Sequence, residues 1–411
     1  MATSSVKVVR ARNITLSGAS RRRVLRAAFF TPSIRNANRI QWGLPVLMWG
    51  PPGGGKTSEL RALAYELHAS CFIFSPGEQG EGGIGAMPIP ALDGYIDYPA
   101  PRWSQPFFQD DGFGMLGLDE LTTADARMQP AMLAAALERN IGGRTMGGRV
   151  RVMAASNAVE DTPGGCDLSP PLANRFVHLD FVDPDVDAFM DYMTTENGIE
   201  LAPAAPFDAL AEEARVLREW PLAWGNACAA VGSYLKAFPD KLRVQPKPTD
   251  ANYGREWASP RSWDMATRCI AAAAIHGLTL EERHALIGGC VSVGIAGELL
   301  SYLRELDLPS AGDVLSGKVT WDMANRLDRT MAVLRGVTAY ALGVPKTSPK
   351  YEETVLLWWQ FMARASATRA DLAVARVQEG LRAAFHASAT HKAFFPASTK
   401  TLDILSDAGL L

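Results

Sequence analysis

The stretch Gly50-Pro51-Pro52-Gly53-Gly54-Gly55-Lys56-Thr57 matches the pattern G-x-x-x-x-G-K-[ST] without deviation. Its flanks restrict the fold further. Val46-Leu47-Met48-Trp49 is a short apolar run of the kind that forms a buried parallel strand. Ser58 to Leu67 follows with Leu60, Leu63, Ala64 and Leu67 at helical spacing on one face. Strand, glycine loop and helix in that order allow backbone N–H groups to curl around a phosphate, and the helix N-terminus adds partial positive charge. Gly50, Pro51, Pro52, Gly53, Gly54, Gly55, Lys56, Thr57 and Ser58 are therefore the candidate nucleotide-binding residues. Lys56 is placed to reach the β- and γ-phosphates, and the Thr57 hydroxyl to ligate Mg²⁺.

The chain has 411 residues, enough for two or three domains at about 150 residues each. Hydrophobic residues make up 47% and charged residues 21%, as in a globular protein that buries a core. A formal net charge of −3 gives the whole chain no case for nucleic acid or a membrane surface. No apolar run approaches the roughly eighteen residues of a membrane span. Cys71, Cys166, Cys228, Cys269 and Cys290 are scattered without a C-x-x-C pair, which points to free thiols in a reducing cytoplasm. The histidines show no metal-ligand spacing.

Residues 1–40 hold Lys7, Arg10, Arg12, Arg21, Arg22, Arg23, Arg26, Arg35 and Arg39 and no acidic residue. Three readings stand side by side: a transit peptide, a patch for nucleic acid or an acidic partner, or a linker helix over about Ala19 to Phe30 packed beside the nucleotide site. The short distance to the strand at Val46 favours the helix.

Cys71-Phe72-Ile73-Phe74 reads as a second buried strand. After it comes a long Gly- and Pro-rich excursion, Ser75 to Pro106, a length that in a compact domain points either to function or to a surface hairpin. Gly114 to Glu120 is an apolar strand ending in Asp119-Glu120. In a phosphate-loop protein the Asp at such a strand end holds Mg²⁺, and the adjacent Glu is placed to polarise the attacking water. A helix over Thr122 to Arg139 buries Met128 and Met132. A hairpin over Arg144 to Val150, with Gly147-Gly148 at its turn, feeds the strand Val150 to Asn157. A fifth strand, Val177 to Phe181, carries His178 as a packing residue.

Together these pieces resemble an AAA+ ATPase, and within that group the MoxR-type branch. The matching motifs are Gly50–Thr57 (Walker A), Leu116–Glu120 (Walker B), Ala155-Ser156-Asn157 (sensor one), Leu172–Phe176 (arginine-finger region) and Ser259-Pro260-Arg261 (sensor two). They cover about Ile40 to Gly277. The excursion departs from the best-known members of the branch, carrying the Gly-Leu-Pro-like variant Gly85-Ala86-Met87-Pro88. The resemblance implies a P-loop αβα sandwich with a parallel five-stranded sheet (41–183) behind the basic segment (1–40). A helical lid (184–277) and a helical C-terminal region (278–411) would follow. It implies ATP and Mg²⁺ as ligands, with Thr57 and Asp119 on the metal. Catalysis would rest on Glu120, on Asn157 at the γ-phosphate, on Arg261 from the lid, and on Arg175 reaching from the subunit surface into a neighbour's site. It further implies a hexameric ring that remodels or assembles protein clients, with a partner bearing a von Willebrand factor A-type domain. The alternative is a nucleic-acid-associated motor or a subunit of a restriction or defence system. Beyond Asp183 the periodicity is helical, at Asp187–Met193, Phe207–Arg218, Trp220–Phe238, Trp263–His276, Glu281–Gly288, Gly297–Glu305, Trp321–Arg335, Tyr351–Arg364 and Arg369–His386. The apolar run Leu356–Met362 is expected to pack into the lid.

Overall fold

A computed structural model describes residues 14, 16 and 18–368, apart from 37–38, 85–86, 110–111, 163–164, 184–185, 195–206, 251–252, 307, 322–326 and 346. Lys7, Arg10 and Arg12, the Gly85-Ala86 departure and the helix expected at Arg369–His386 lie outside the described residues. The chain opens with α1 (Gly18–Phe29), the antiparallel pair β1 (Pro32–Asn36) and β2 (Arg39–Trp42), β3 (Val46–Trp49), α2 (Lys56–Glu66) and β4 (Ser70–Phe74). The excursion holds α3 (Pro76–Gly83) and a hairpin of β5 (Ile89–Pro90) and β6 (Ile96–Asp97). Then come β7 (Gly114–Leu118), α4 (Gln129–Leu133), β8 (Asn140–Ile141), β9 (Arg144–Thr145), β10 (Val150–Ser156), α5 (Pro170–Ala173) and β11 (Val177–Asp180). The helical remainder is α6 (Val186–Thr194), α7 (Ala209–Ala237), α8 (Pro260–Ile275), α9 (Leu280–Val291), α10 (Val293–Leu306), α11 (Ala311–Leu315), α12 (Leu327–Gly343) and α13 (Tyr351–Thr368).

Five strands form one sheet in the order β11-β3-β10-β7-β4, every pairing parallel. Side chains alternate across it. Leu47, Leu116, Leu118, Val152 and Ala154 face a core shared with Met128, Met132, Ala135, Ala136 and Phe176. On the opposite face α2 packs through Leu60, whose side chain lies where a Cβ on Gly117 would stand. Helices thus cover both faces, the αβα sandwich expected of the sequence. Because the sheet is parallel and in register, with Trp49 opposite Ser156 and Leu118 opposite Ala154, the segments after β3, β7 and β10 leave at the same edge. Ligand sites of open parallel sheets form at that edge.

The chain divides into two compact units, Met1–Val216 with Lys241–Gly297, and Leu217–Asp240 with Glu298–Leu411. Helices α8 and α9 belong to the unit of the sheet, where α9 packs on β11 and both touch α1. In the second unit, Trp358, Phe361 and Met362 fill a core with Val314, Leu315, Val337 and Ala341. The Leu356–Met362 run, expected against the lid, is used within this unit instead. Phe207–Arg218 and Trp220–Phe238, read as separate helices, belong to the continuous α7, with Pro221 inside it.

The second hairpin lies earlier than the glycine pairs suggested. Its strands are β8 and β9, and the turn is Gly142-Gly143, with φ of +54° and +71°. A two-residue hairpin turn of this kind needs positive φ at both central positions, which glycine adopts without strain. Gly147-Gly148 lie in the link to β10.

Candidate active site

At the strand edge the loop after β3 wraps into α2. Gly53 and Gly55 take φ of +79° and +91°, so that the chain turns into the helix with its first amides facing outward. The Lys56 ammonium donates to the carbonyls of Gly50 (3.0 Å) and Pro51 (2.7 Å) and to Asn157 Oδ1 (2.7 Å). Burial draws its pKa below the ordinary lysine value, against the opposing pull of Asp119, Asp183 and Glu120. Thr57 Oγ1 donates to Asp119 Oδ2 at 2.6 Å. Asp119 follows β7 directly, and its amide is held by the Phe74 carbonyl of β4. Thr122 fixes the next turn by bonding Ser156 Oγ through both its amide (3.0 Å) and its hydroxyl (2.8 Å). Lys56, Thr57, Asp119 and Asn157, distant in sequence, are therefore brought into one cluster. Glu120 stands beside it, exposed, with its backbone in the left-handed region (φ 51°, ψ 45°).

This donor set fits a nucleoside triphosphate with a magnesium ion. Turned amides at a helix N-terminus and a buried ammonium suit phosphate oxygens. A hydroxyl touching a carboxylate offers the hard oxygen ligands that Mg²⁺ takes from a protein when phosphates and waters supply the rest. Among the described residues no group of three or more His, Cys, Asp or Glu gathers into a metal cage of its own.

One residue of the pocket was not read from the sequence. The Asp183 carboxylate lies against the loop, 2.6 Å from where a Cβ on Gly54 would stand, so a side chain there would push the carboxylate aside. Its signal was weak, since Asp183 falls in a polar link after β11 with no motif around it.

The basic segment is committed to internal contacts where it is described. Arg22 pairs with Glu59 (3.3 Å) and Arg26 with Glu66, both on α2. Arg23 reaches Glu282 (3.1 Å), and the Arg21 guanidinium lies 3.8 Å from the Phe181 ring centre. α1 is thus a helix over nearly the expected residues, and it braces the helix carrying Lys56 and Thr57.

The two remaining sequence candidates belong to a second constellation. Arg175 does not project from the surface as expected; it is 8% exposed, and Nη1 donates to the Pro171 carbonyl at 2.9 Å. The reason is local. α5 is four residues long, and the backbone amides that follow it bond the carbonyls of Pro170, Leu172 and Ala173, which leaves the Pro171 carbonyl to the arginine. Asp180, five residues further on, pairs with Arg255 at 2.7 Å. Arg261 stands exposed in the first turn of α8 with no ion pair among the described residues. A cation there opposes the helix dipole, an arrangement that an anionic ligand would relieve.

Behind the loop lies buried polar chemistry that the motifs did not announce. Trp49 Nε1 donates to His178 Nδ1 (2.8 Å), and His178 Nε2 donates to the Ala173 carbonyl (2.8 Å). The ring is thus neutral, and burial first, then the Arg255 charge, pull its pKa down to about 3. The Arg255 guanidinium sits over Trp49, 4.9 Å from its ring centre.

No protein-family model matches the chain, and no curated protein matches it. Among solved structures it is similar to a Cytophaga hutchinsonii protein described as a "putative ATPase". That likeness has 14% identity and a TM-score of 0.44, and covers 69% of this chain and 88% of the other. The site is accordingly read from its own geometry. Among the described residues no helix is long and apolar enough to cross a membrane.

Proposed function

We propose that the chain is a Mg²⁺-dependent ATP hydrolase of the AAA+ kind, close in type to the MoxR branch, that works as a hexameric ring to remodel or assemble protein partners. The observation that carries the ATPase reading is the convergence of Lys56, Asn157, Thr57 and Asp119 on the N-terminus of α2. Phosphoryl transfer to water asks for positioning and charge neutralisation more than covalent help. Lys56 exchanges the loop carbonyls for phosphate oxygens, and the outward amides of the loop hold the rest of the chain of phosphates. Thr57 and Asp119 hold the metal, which when bound neutralises charge on the phosphates. Glu120, exposed beside them, orients and polarises the water. Asn157, released by Lys56, turns to the γ-phosphate.

Two arginines complete the site in this reading, Arg261 on the chain's own nucleotide and Arg175 on a neighbour's. Arg175 serves in trans only after leaving the Pro171 carbonyl, so assembly has to draw it out. The β5–β6 hairpin supports a client-facing role: Leu92, Tyr95, Ile96 and Tyr98 are all exposed on it. The internal pairing of Arg22, Arg23 and Arg26 removes the main support for a nucleic-acid arm.

A mixing experiment tests the reading. Arg175→Ala and Lys56→Ala are each expected to keep only residual turnover alone. Mixed under conditions where subunits exchange, they regain turnover, because an intact Arg175 serves an intact Lys56 site. Absence of recovery with demonstrated exchange rules out a finger acting in trans.

A further inference from the structure

Asn174 precedes Arg175, and Ser259 lies two residues before Arg261. Their side chains meet: Ser259 Oγ donates to Asn174 Oδ1 at 2.6 Å. Both residues are 3% exposed. Asn174 Nδ2 donates in turn to the Trp257 carbonyl at 2.8 Å. Only one orientation of the amide serves both bonds, since the flipped amide would set two acceptors against each other at Trp257. Ser259 is also the N-cap of α8. Its hydroxyl accepts from the Ser262 amide, and Ser262 Oγ donates to that same Trp257 carbonyl at 2.8 Å. The Trp257 indole closes the contact by donating to the Pro170 carbonyl at the start of α5.

From this we infer that Asn174 and Ser259 are positioning residues that couple the two arginines. Arg175 and Arg261 hang from the two ends of one buried hydrogen bond, so a shift of α8 that brings Arg261 toward nucleotide is transmitted to the turn holding Arg175. The clasp also reaches the phosphate loop, because His178, bonded to the Ala173 carbonyl, takes its other bond from Trp49, the residue before Gly50. Occupancy of one pocket thereby biases the arginine offered to the next. The inference rests on the proposed catalytic roles of the two arginines.

The test is steady-state ATP hydrolysis by the full chain, measured well below each variant's melting temperature and normalised to folded protein, beside binding of a fluorescent ATP analogue. Asn174→Ala is expected to lower kcat about tenfold or more while the nucleotide Kd stays within about twofold. In an Arg175→Ala or Arg261→Ala background it should cost less than about twofold further, because residues acting as one unit are not additive. Ser259→Ala should match Asn174→Ala, and Ser259→Thr, which keeps the hydroxyl, should keep wild-type kcat. A merely structural role would lower the melting temperature, leave kcat per folded molecule unchanged and multiply fully with both arginine variants. That result overturns the inference, whichever of the two clasp variants folds. If both arginine variants slow hydrolysis and neither clasp variant does, the coupling fails and the catalytic reading stands. If neither arginine variant slows it, both fail.

Discussion

In the loop between β3 and α2, Lys56 has an acceptor for each of its three ammonium protons, and Thr57 is locked to Asp119. In the β5–β6 hairpin, Leu92, Tyr95 and Tyr98 are 111%, 74% and 52% exposed. The first region is organised before any ligand arrives, so a change there alters chemistry. The second holds large apolar side chains in water, where burial of each would be worth about 1.5–3 kcal/mol. That gain is open only to something outside the unit, so a change there alters what the chemistry acts on.

The largest effect expected from breaking the first region is that of Lys56→Ala. Loss of a charge-assisted anchor should weaken binding of a fluorescent ATP analogue by about a hundredfold or more. Equal affinity would remove the loop from the phosphate site. Glu120→Gln sharpens the contrast within the pocket. It should bind ATP as wild type does and lose roughly two to four orders of magnitude in kcat, the span of general-base assistance. Hydrolysis at the wild-type rate would place the water-activating group elsewhere.

Acid should separate the two regions as well. His178 lies behind the loop, facing Trp49, Arg255, the Ala173 carbonyl and Glu256 at 3.7 Å, whereas Ser75 to Pro106 contains no histidine. The folded pKa of His178, about 3, is below the ordinary 6.5, so the unfolded chain binds the extra proton first as pH falls. Its contribution is fully present above pH 6.5 and is lost as pH drops toward 3. Between pH 6.5 and 5 the loss comes to about 2 kcal/mol. Urea unfolding at pH 7.5 and pH 5 should show a loss of that order in the wild type and a flatter profile in His178→Gln. The smallest effect belongs to the hairpin. Tyr95→Ala with Tyr98→Ala should leave basal kcat within about twofold and stability within about 0.5 kcal/mol, as for exposed positions generally, while client remodelling is lost. A fall in basal ATPase would show that these rings support the pocket.

The five strands and the cluster around Lys56 were legible because each is local: an apolar run, a glycine pattern and a polar residue where the run stops. Asp119 and Asn157 announce themselves by ending strands, and register does the rest. The clasp was not legible in this way. Trp49, Asn174, His178, Arg255 and Ser259 are ordinary in their own neighbourhoods, and only folding sets Asn174 against Ser259 across 85 positions of chain. Arg175 was misplaced for a related reason. Its motif speaks of a role between subunits, while the bond it makes within one chain goes to the Pro171 carbonyl, which the backbone amides after that four-residue helix pass over. The second hairpin was shifted because two glycine pairs compete in the same stretch, and periodicity does not decide which one turns.

Glu120 sits with φ at 51°, in a region where an ordinary side chain costs about 1–2 kcal/mol and glycine or asparagine far less. His68, Arg139 and Ser292 also take positive φ, so the strain alone assigns no role. At Glu120 the strained turn carries a long acidic side chain that is exposed and makes no salt bridge among the described residues. In the proposed reading, the strain at this corner is folding stability given over to presenting the Glu120 carboxylate.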